Sequence, residues 1–357
     1  MILMQTVFRY LLKRLVYILV TFLIVTAVLY AAVMLTPVET RASLYMPPNL
    51  PARITQQQIQ KLLENRIETY HLNDPFPIQY YYWFTSLAKG TWGYSPTLHE
   101  DVLSALIRRT PITAELTFFA MLAFLPLGLV SGVLAGSRQN KPDDLGFRLS
   151  AFIATSLPPF ILALLLMAFF YVGLYWFAPG RTSAAVGVFI NSDQFRQFTG
   201  FLTIDGLLNR RPDVTIDALR HLAMPVFTLA ITHWATLGRI TRATMIEELQ
   251  QDYIVAARAR GVPEKRITWK HALRNAIVPA LASSLLSAAS LITGVYVVEI
   301  IFNIQGISII AVRSMEYTPD APAALGFAIY SVIAVLVIMS MLDILQSILD
   351  PRIRERD

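Results

Sequence analysis

Reactive side chains are scarce in this 357-residue chain, and their spacing disfavours most catalysis. There is no cysteine, so disulfides, thiolate nucleophiles and Cys-based metal sites are excluded. The five histidines, His71, His99, His221, His233 and His271, form no ligand pair. His99-Glu100 begins like a metalloprotease helix, but Leu103 stands where the second histidine is needed. A metal-dependent intramembrane protease is therefore disfavoured, and His233 reads as a hydrogen-bonded bundle residue. No G-x-x-x-x-G-K-[ST] loop exists to cradle phosphates, so the chain has no motif for hydrolysing ATP. What remains is a set of isolated carboxylates. Glu115 and Asp343 fall near the ends of apolar runs, where solvent or a partner satisfies them. Glu299, in Val297-Val298-Glu299-Ile300-Ile301-Phe302, lies deeper in such a run. An ionisable residue there is a functional candidate by default, with a structural ion pair as the alternative.

The elements that position these residues are membrane helices. Hydrophobic residues make up 55% of the chain and charged ones 15%, a balance that makes the bilayer part of the solvent. Six apolar stretches reach or approach the length of a spanning helix: 15–35, 112–135, 149–177, 222–237, 276–302 and 323–345. The first follows Arg9, Lys13 and Arg14 but is too long for a signal peptide and lacks a small-x-small cleavage site, so it reads as a retained anchor.

Six spans place both termini on one side. That side carries Arg9, Lys13, Arg14, Arg138, Lys141, Arg148, Arg352, Arg354 and Arg356. It also carries a loop with Arg239, Arg242, Arg258, Arg260, Lys265, Arg266, Lys270 and Arg274, so it holds more than half of the 30 Lys and Arg. The positive-inside rule makes it cytoplasmic, and this asymmetry explains the net charge of +6 without nucleic acid. The expected organisation is a cytoplasmic segment and anchor over 1–35, an external segment over 36–111, a core over 112–350 and a cytoplasmic tail over 351–357. The core includes an external insertion at 179–221 and a cytoplasmic loop at 239–275. In the first external segment, Tyr80-Tyr81-Tyr82-Trp83-Phe84 reads as an aromatic belt at the membrane–water interface, or as a contact for an external partner.

Small residues mark two spans. Gly128, Gly132 and Gly136 form a GxxxGxxxG ladder that lets helix backbones approach closely. Ala280, Ser283, Ser287, Ser290 and Gly294 fall at spacings of 3, 4, 3 and 4, one mildly polar stripe along a helix. Tight packing explains that stripe as well as the lining of a wet path does. Pro126, the pair Pro158-Pro159 and Pro279 interrupt spans and free backbone carbonyls.

The cytoplasmic loop reads as two short helices around Gly261. Ala256, Ala257 and Ala259 favour helix and keep one face thin enough to enter a groove. Gly261 supplies the positive φ that ends the first helix, Pro263 starts the next turn, and Arg258 and Arg260 reach outward. A solvated basic loop, or one lying on anionic lipid, is the competing reading.

Here the residues resemble a known family. Ala256-Ala257, Gly261 and Ile277-Val278-Pro279 resemble the EAA loop of ABC importer permeases. Ala257-Arg258-Ala259-Arg260-Gly261 with His271-Ala272-Leu273-Arg274-Asn275-Ala276 is similar to the oligopeptide/dipeptide/nickel subfamily. So are Tyr70-His71-Leu72-Asn73-Asp74-Pro75 with Gln79-Tyr80, Gly90-Thr91-Trp92-Gly93 with Ser95, and Ile240-Thr241-Arg242 with Met245. Glu299 with Gly306 and the closing Asp350-Pro351-Arg352-Ile353-Arg354 fit as well. Two features depart from it: Val255 occupies the Glu position of the short consensus, and 179–221 is longer than in the simplest members.

The resemblance implies an all-α type I ABC importer permease with six spans in the bacterial or archaeal inner membrane. It implies a non-enzymatic half of a heterodimeric pair with a second, homologous permease, embedded in lipid. Two ABC subunits would bind ATP and Mg below, and a solute-binding protein would dock above; this chain itself would hold no cofactor. Peptides are the first expected cargo, with nickel, opines or oligosaccharides behind. Ala256, Ala257, Arg258, Arg260 and Gly261 would couple to the ATPases, and Glu299 with Ser283, Ser287 and Ser290 would form the gate and path. An ATP-independent secondary transporter would instead show internal repeats and paired carboxylates, and neither is evident.

Overall fold

The computed structural model describes residues 2–46, 55–316 and 320–349, of which 2–12, 43, 281–286, 288–289 and 342–349 by backbone alone. The run 350–354 and the tail arginines lie outside the described residues, as does the side chain of Asp343. In chain order the helices begin with α1 (Ile2–Val33), α2 (Val38–Ala42), α3 (Gln56–Thr69), α4 (Phe76–Ala88) and α5 (Val102–Ser137). Then come α6 (Pro142–Ser156), α7 (Pro159–Leu166), α8 (Ala184–Ile190), α9 (Leu202–Leu208) and α10 (Pro212–Glu248). The series closes with α11 (Asp252–Ala259), α12 (Glu264–Arg266), α13 (Leu273–Ile301), α14 (Ser308–Glu316) and α15 (Ala321–Leu349). Among the described residues the strands are β1 (Tyr94–Ser95) and β2 (Glu100–Asp101), paired antiparallel.

Among the described residues four helices are long and apolar enough to cross a bilayer: Lys13–Val33 of α1, α5, α10 and Ala321–Met341 of α15. Over the fifth expected span, α13 is one helix of 29 residues, about 43 Å at 1.5 Å per residue. The stretch expected over 149–177 is not one straight span, because α6 and α7 meet at a bend of 94°. Leu157 is extended (φ −101°, ψ 123°) since Pro158 follows it, and Pro158 has no N–H to continue a helix. Pro126 and Pro279, by contrast, sit inside unbroken helices. Only the proline pair interrupts.

The chain forms two compact units, 1–110 with 307–337 and 111–306 with 338–356. In the first, the aromatic cluster is largely turned inward: Trp83 stacks on Tyr30 with centroids 4.8 Å apart, and Tyr80 bonds Thr26 through its hydroxyl at 2.9 Å. Of that cluster Tyr81 is the exposed member, so its main task is to seat α4 on α1. Buried Arg41 donates to Gln79 at 2.7 Å and to the Leu72 carbonyl at 3.2 Å. Buried Asp320 accepts from Ser95 (2.6 Å), from Thr97 (2.7 Å) and from the Ala323 amide (3.0 Å), so it caps α15 and anchors the β1 turn together.

In the second unit the glycine ladder is a packing device. A Cβ on Gly132 would lie 2.6 Å from the Gly238 carbonyl and 2.6 Å from Thr241 Cβ, so α5 rests directly on the backbone of α10. The insertion after α7 has its own core of Phe195, Leu202, Val214 and Ala218. Glu115 of α5 ties it down. Its carboxylate accepts from Arg181 at 2.8 Å and from the Thr203 amide and hydroxyl at 2.8 and 2.7 Å. Arg181 in turn donates to the Gly200 carbonyl.

Candidate functional site

The loop between α10 and α13 folds as a short helix clamped to the spans. Asp252 opens α11, where a negative charge suits the helix N-terminus. Ile254 and Ala257, three apart, turn inward onto Val133, Met245, Ile267, Ala272 and Ala276. Ala257 is only 4% exposed, whereas Ala256 is exposed. The two alanines expected to share a docking face are therefore divided. Ala257 is a core residue, and the outward stripe is Asp252, Val255, Ala256 and Ala259, at i, i+3, i+4 and i+7.

The far end of α11 closes as a Schellman turn. The Val262 amide donates to the Ala257 carbonyl at 3.1 Å and the Gly261 amide to Arg258 at 2.9 Å, with Gly261 at φ +76°. A Cβ on Gly261 would meet nothing within 4 Å, so substitution there is limited by backbone conformation alone. Gly261→Val should cost about 1–2 kcal/mol locally and reduce transport, while Gly261→Asn should be tolerated. Equal uptake by the two variants in liposomes would show that the turn does not matter for coupling. Arg258 is spent within the loop, pairing with Glu264 at 2.7 Å. Both arginines expected to reach outward are exposed, and Arg260 also donates to the Ala256 carbonyl at 3.3 Å.

The near end is held by groups that spacing did not flag. Tyr253 donates its hydroxyl to Glu248 at 2.5 Å and accepts from the Asn275 amide at 3.0 Å. Partial burial, then the bond to Glu248, raise the phenol's pKa and keep it a neutral donor. Beneath the loop, Arg242 of α10 forks onto buried Asp144 of α6, its Nη2 at 2.9 Å, and Asp144 also accepts from the Asn140 amide at 2.9 Å. A capping role for Asp144 was legible from the first-turn Pro-Asp-Asp of α6; its partner, 98 residues on, was not.

Glu299 is fully buried two residues before the end of α13. Thr113 donates to its carboxylate at 2.5 Å, and Gly306 packs so closely that a Cβ there would strike Glu299. The chain doubles back after Phe302, with Asn303 at φ 53° and the Ile304 amide bonded to the Glu299 carbonyl at 2.8 Å. Glu299 thus joins α5, α13 and the returning loop. Of the serine stripe, Ser287 is buried, Ser290 is exposed, and the Ser283 side chain lies outside the described residues. Ala280 and Gly294 pack within the bundle, Gly294 toward Leu229. The stripe is partly packing and partly surface. Among the described residues no group of three His, Asp or Glu side chains could hold a metal ion.

Residues 125–355 match the family described as "Binding-protein-dependent transport system inner membrane component". The chain is 34% identical to the oligopeptide transport system permease protein AppB of Bacillus subtilis, over 81% of this chain and 84% of that one. It is 32% identical to the probable D,D-dipeptide transport system permease protein DdpB of Escherichia coli, over 87% and 90%. Similarity to the dipeptide transport system permease protein DppB of Bacillus subtilis is 30% over 97% and 98%.

Proposed function

Since the chain belongs to the family of inner membrane components of binding-protein-dependent transport systems, we propose that it carries peptides inward as half of an ATP-driven importer. It is a multi-pass inner membrane permease and not an enzyme; its energy comes from ATPase subunits, and its substrate from a binding protein. The observation that carries the mechanism is the division of α11, with Ile254 and Ala257 keyed into the bundle and a small face, Val255, Ala256 and Ala259, turned outward. A helix of that kind transmits a push from a docked partner to α5, α10 and α13. The names of the relatives support peptides as cargo.

In this reading a second, homologous permease completes the path, and two ATPases carrying ATP and Mg dock below. Both termini and the α11 loop face the cytoplasm, and the insertion over 179–221 faces outward. ATP-driven closure of the ATPases draws the docked helices together, the spans rock from inward- to outward-facing, and the peptide enters from the binding protein. Ser290, exposed on its helix, lines the path, and Glu299 with Thr113 and Gly306 forms a latch at the outer end of α13. Arg260 reaches the ATPase, while Arg258 and Gly261 shape the loop.

The test is ATP-driven uptake of labelled peptides by the full complex in liposomes, with its binding protein, and with Glu299→Gln as a second arm. Wild type should import peptides only with ATP and binding protein, and Glu299→Gln should import less while assembling normally. Uptake of nickel or sugars but no peptide would refute the cargo. Wild-type uptake and ATPase activity in Glu299→Gln would remove the latch.

A further inference from the structure

We propose that Glu248, Tyr253 and Asn275 form a strut that sets the angle of α11 against α10 and α13. They are positioning residues for coupling, and the inference rests on α11 being the docking helix. The three come from three elements: Glu248 closes α10, Tyr253 lies in the first turn of α11, and Asn275 in the first turn of α13. The phenol donates to Glu248 at 2.5 Å and accepts from Asn275 at 3.0 Å, and the same amide lies 3.5 Å from the Glu248 carboxylate. Both bonding roles of one hydroxyl are thereby used on two different spans.

The other attachments of α11 cannot do this. Ile254 and Ala257 resist being pulled away from the bundle, but apolar contact is non-directional and leaves the helix free to pivot. The Gly261 turn and the Arg258–Glu264 pair tie its far end to α12, within the loop itself. Directional bonds from α11 to the start of α13 run through Tyr253. Tyr253 is exposed and is not among the residues that seat the helix, so removing the hydroxyl leaves the apolar contacts of Ile254 and Ala257 in place. A docking helix that pivots would absorb ATPase motion as rotation instead of passing it to the spans.

The experiment measures substrate carried per ATP hydrolysed in liposomes holding the complete complex, for wild type, Tyr253→Phe, Glu248→Gln and Ala256→Trp. Tyr253→Phe loses both bonds of the hydroxyl, each worth a factor of about five, so the ratio should fall about five-fold or more with the ATPase subunits still bound. Glu248→Gln, which still offers a carbonyl to the phenol, should keep most of the ratio. A wild-type ratio in Tyr253→Phe would overturn the strut. So would loss of the ATPases from that variant, or an equal fall in Glu248→Gln, which would point to charge rather than geometry. An unchanged ratio in Ala256→Trp would instead defeat the docking reading, whatever Tyr253→Phe does.

Discussion

Ala256→Trp should abolish substrate-stimulated ATP hydrolysis in a complex whose permease is folded, whereas Ala257→Trp should deplete the folded permease itself. The two positions are neighbours in sequence and opposite in setting. Ala256 lies on the exposed stripe with Val255 and Ala259, where an indole adds bulk without touching the bundle. A groove shaped for alanine has to open by several ångströms or release the helix, because packed interfaces do not deform continuously. Ala257 is 4% exposed among Ile254, Ile267 and Ala272, and forcing a large ring there costs about 1–3 kcal/mol or more through overpacking. Stimulated ATPase activity in liposomes and thermal unfolding in detergent separate the two effects. If both variants lose stimulation while unfolding at the wild-type temperature, the inward placement of Ala257 is wrong.

Gly132→Leu should remove most of the folded protein, and Gly146→Leu should leave it. A Cβ on Gly132 would stand 2.6 Å from a backbone carbonyl of α10, well inside the roughly 3.5–4 Å of an ordinary contact. That carbonyl cannot rotate away as a side-chain end can. The two helices would have to part, which also loosens Gly128 from Leu237 and Gly136 from Met245. With little hydrophobic drive between helices in lipid, such close contact is a main source of their association. A Cβ on Gly146 meets nothing within 4 Å, so the same substitution there controls for added bulk on an open helix face. Recovery of monodisperse protein from membranes is the readout. Equal recovery of the two variants would show that the ladder does not carry the α5–α10 contact.

Periodicity made parts of this structure legible and left others hidden, for physical reasons. The glycine ladder and the positive φ at Gly261 follow from steric limits that act within one element, so spacing reveals them. The division between Ala256 and Ala257 depends on the phase of α11 over a seat built from α5, α10 and α13, and two adjacent alanines carry no sign of that phase. Glu115 was legible as a carboxylate at a span end; its partners Arg181 and Thr203 are 66 and 88 residues away, beyond any local pattern. Asp320 ahead of Ala321-Pro322 is a helix-start signal carried by the sequence itself. The bend at Pro158 was visible as an interruption, but proline spacing carries no angle, and the 94° appears only in the fold.

The foothold of the insertion bears on how such permeases can be recombined. Arg181 and Thr203 lie in the insertion and both donate to Glu115 of the span beneath, while the Gly200 carbonyl accepts from Arg181. Residues between 184 and 199 can lengthen, shorten or change character in a lineage without disturbing that foothold, provided both flanks return to the same carboxylate. A chimera grafted outside 181 and 203 therefore transfers a foreign outer surface only onto a recipient that keeps an acid at position 115. On a recipient without it, the transplant carries in a half-buried arginine that has lost its carboxylate, at a cost below the roughly 3–5 kcal/mol of a fully buried broken pair.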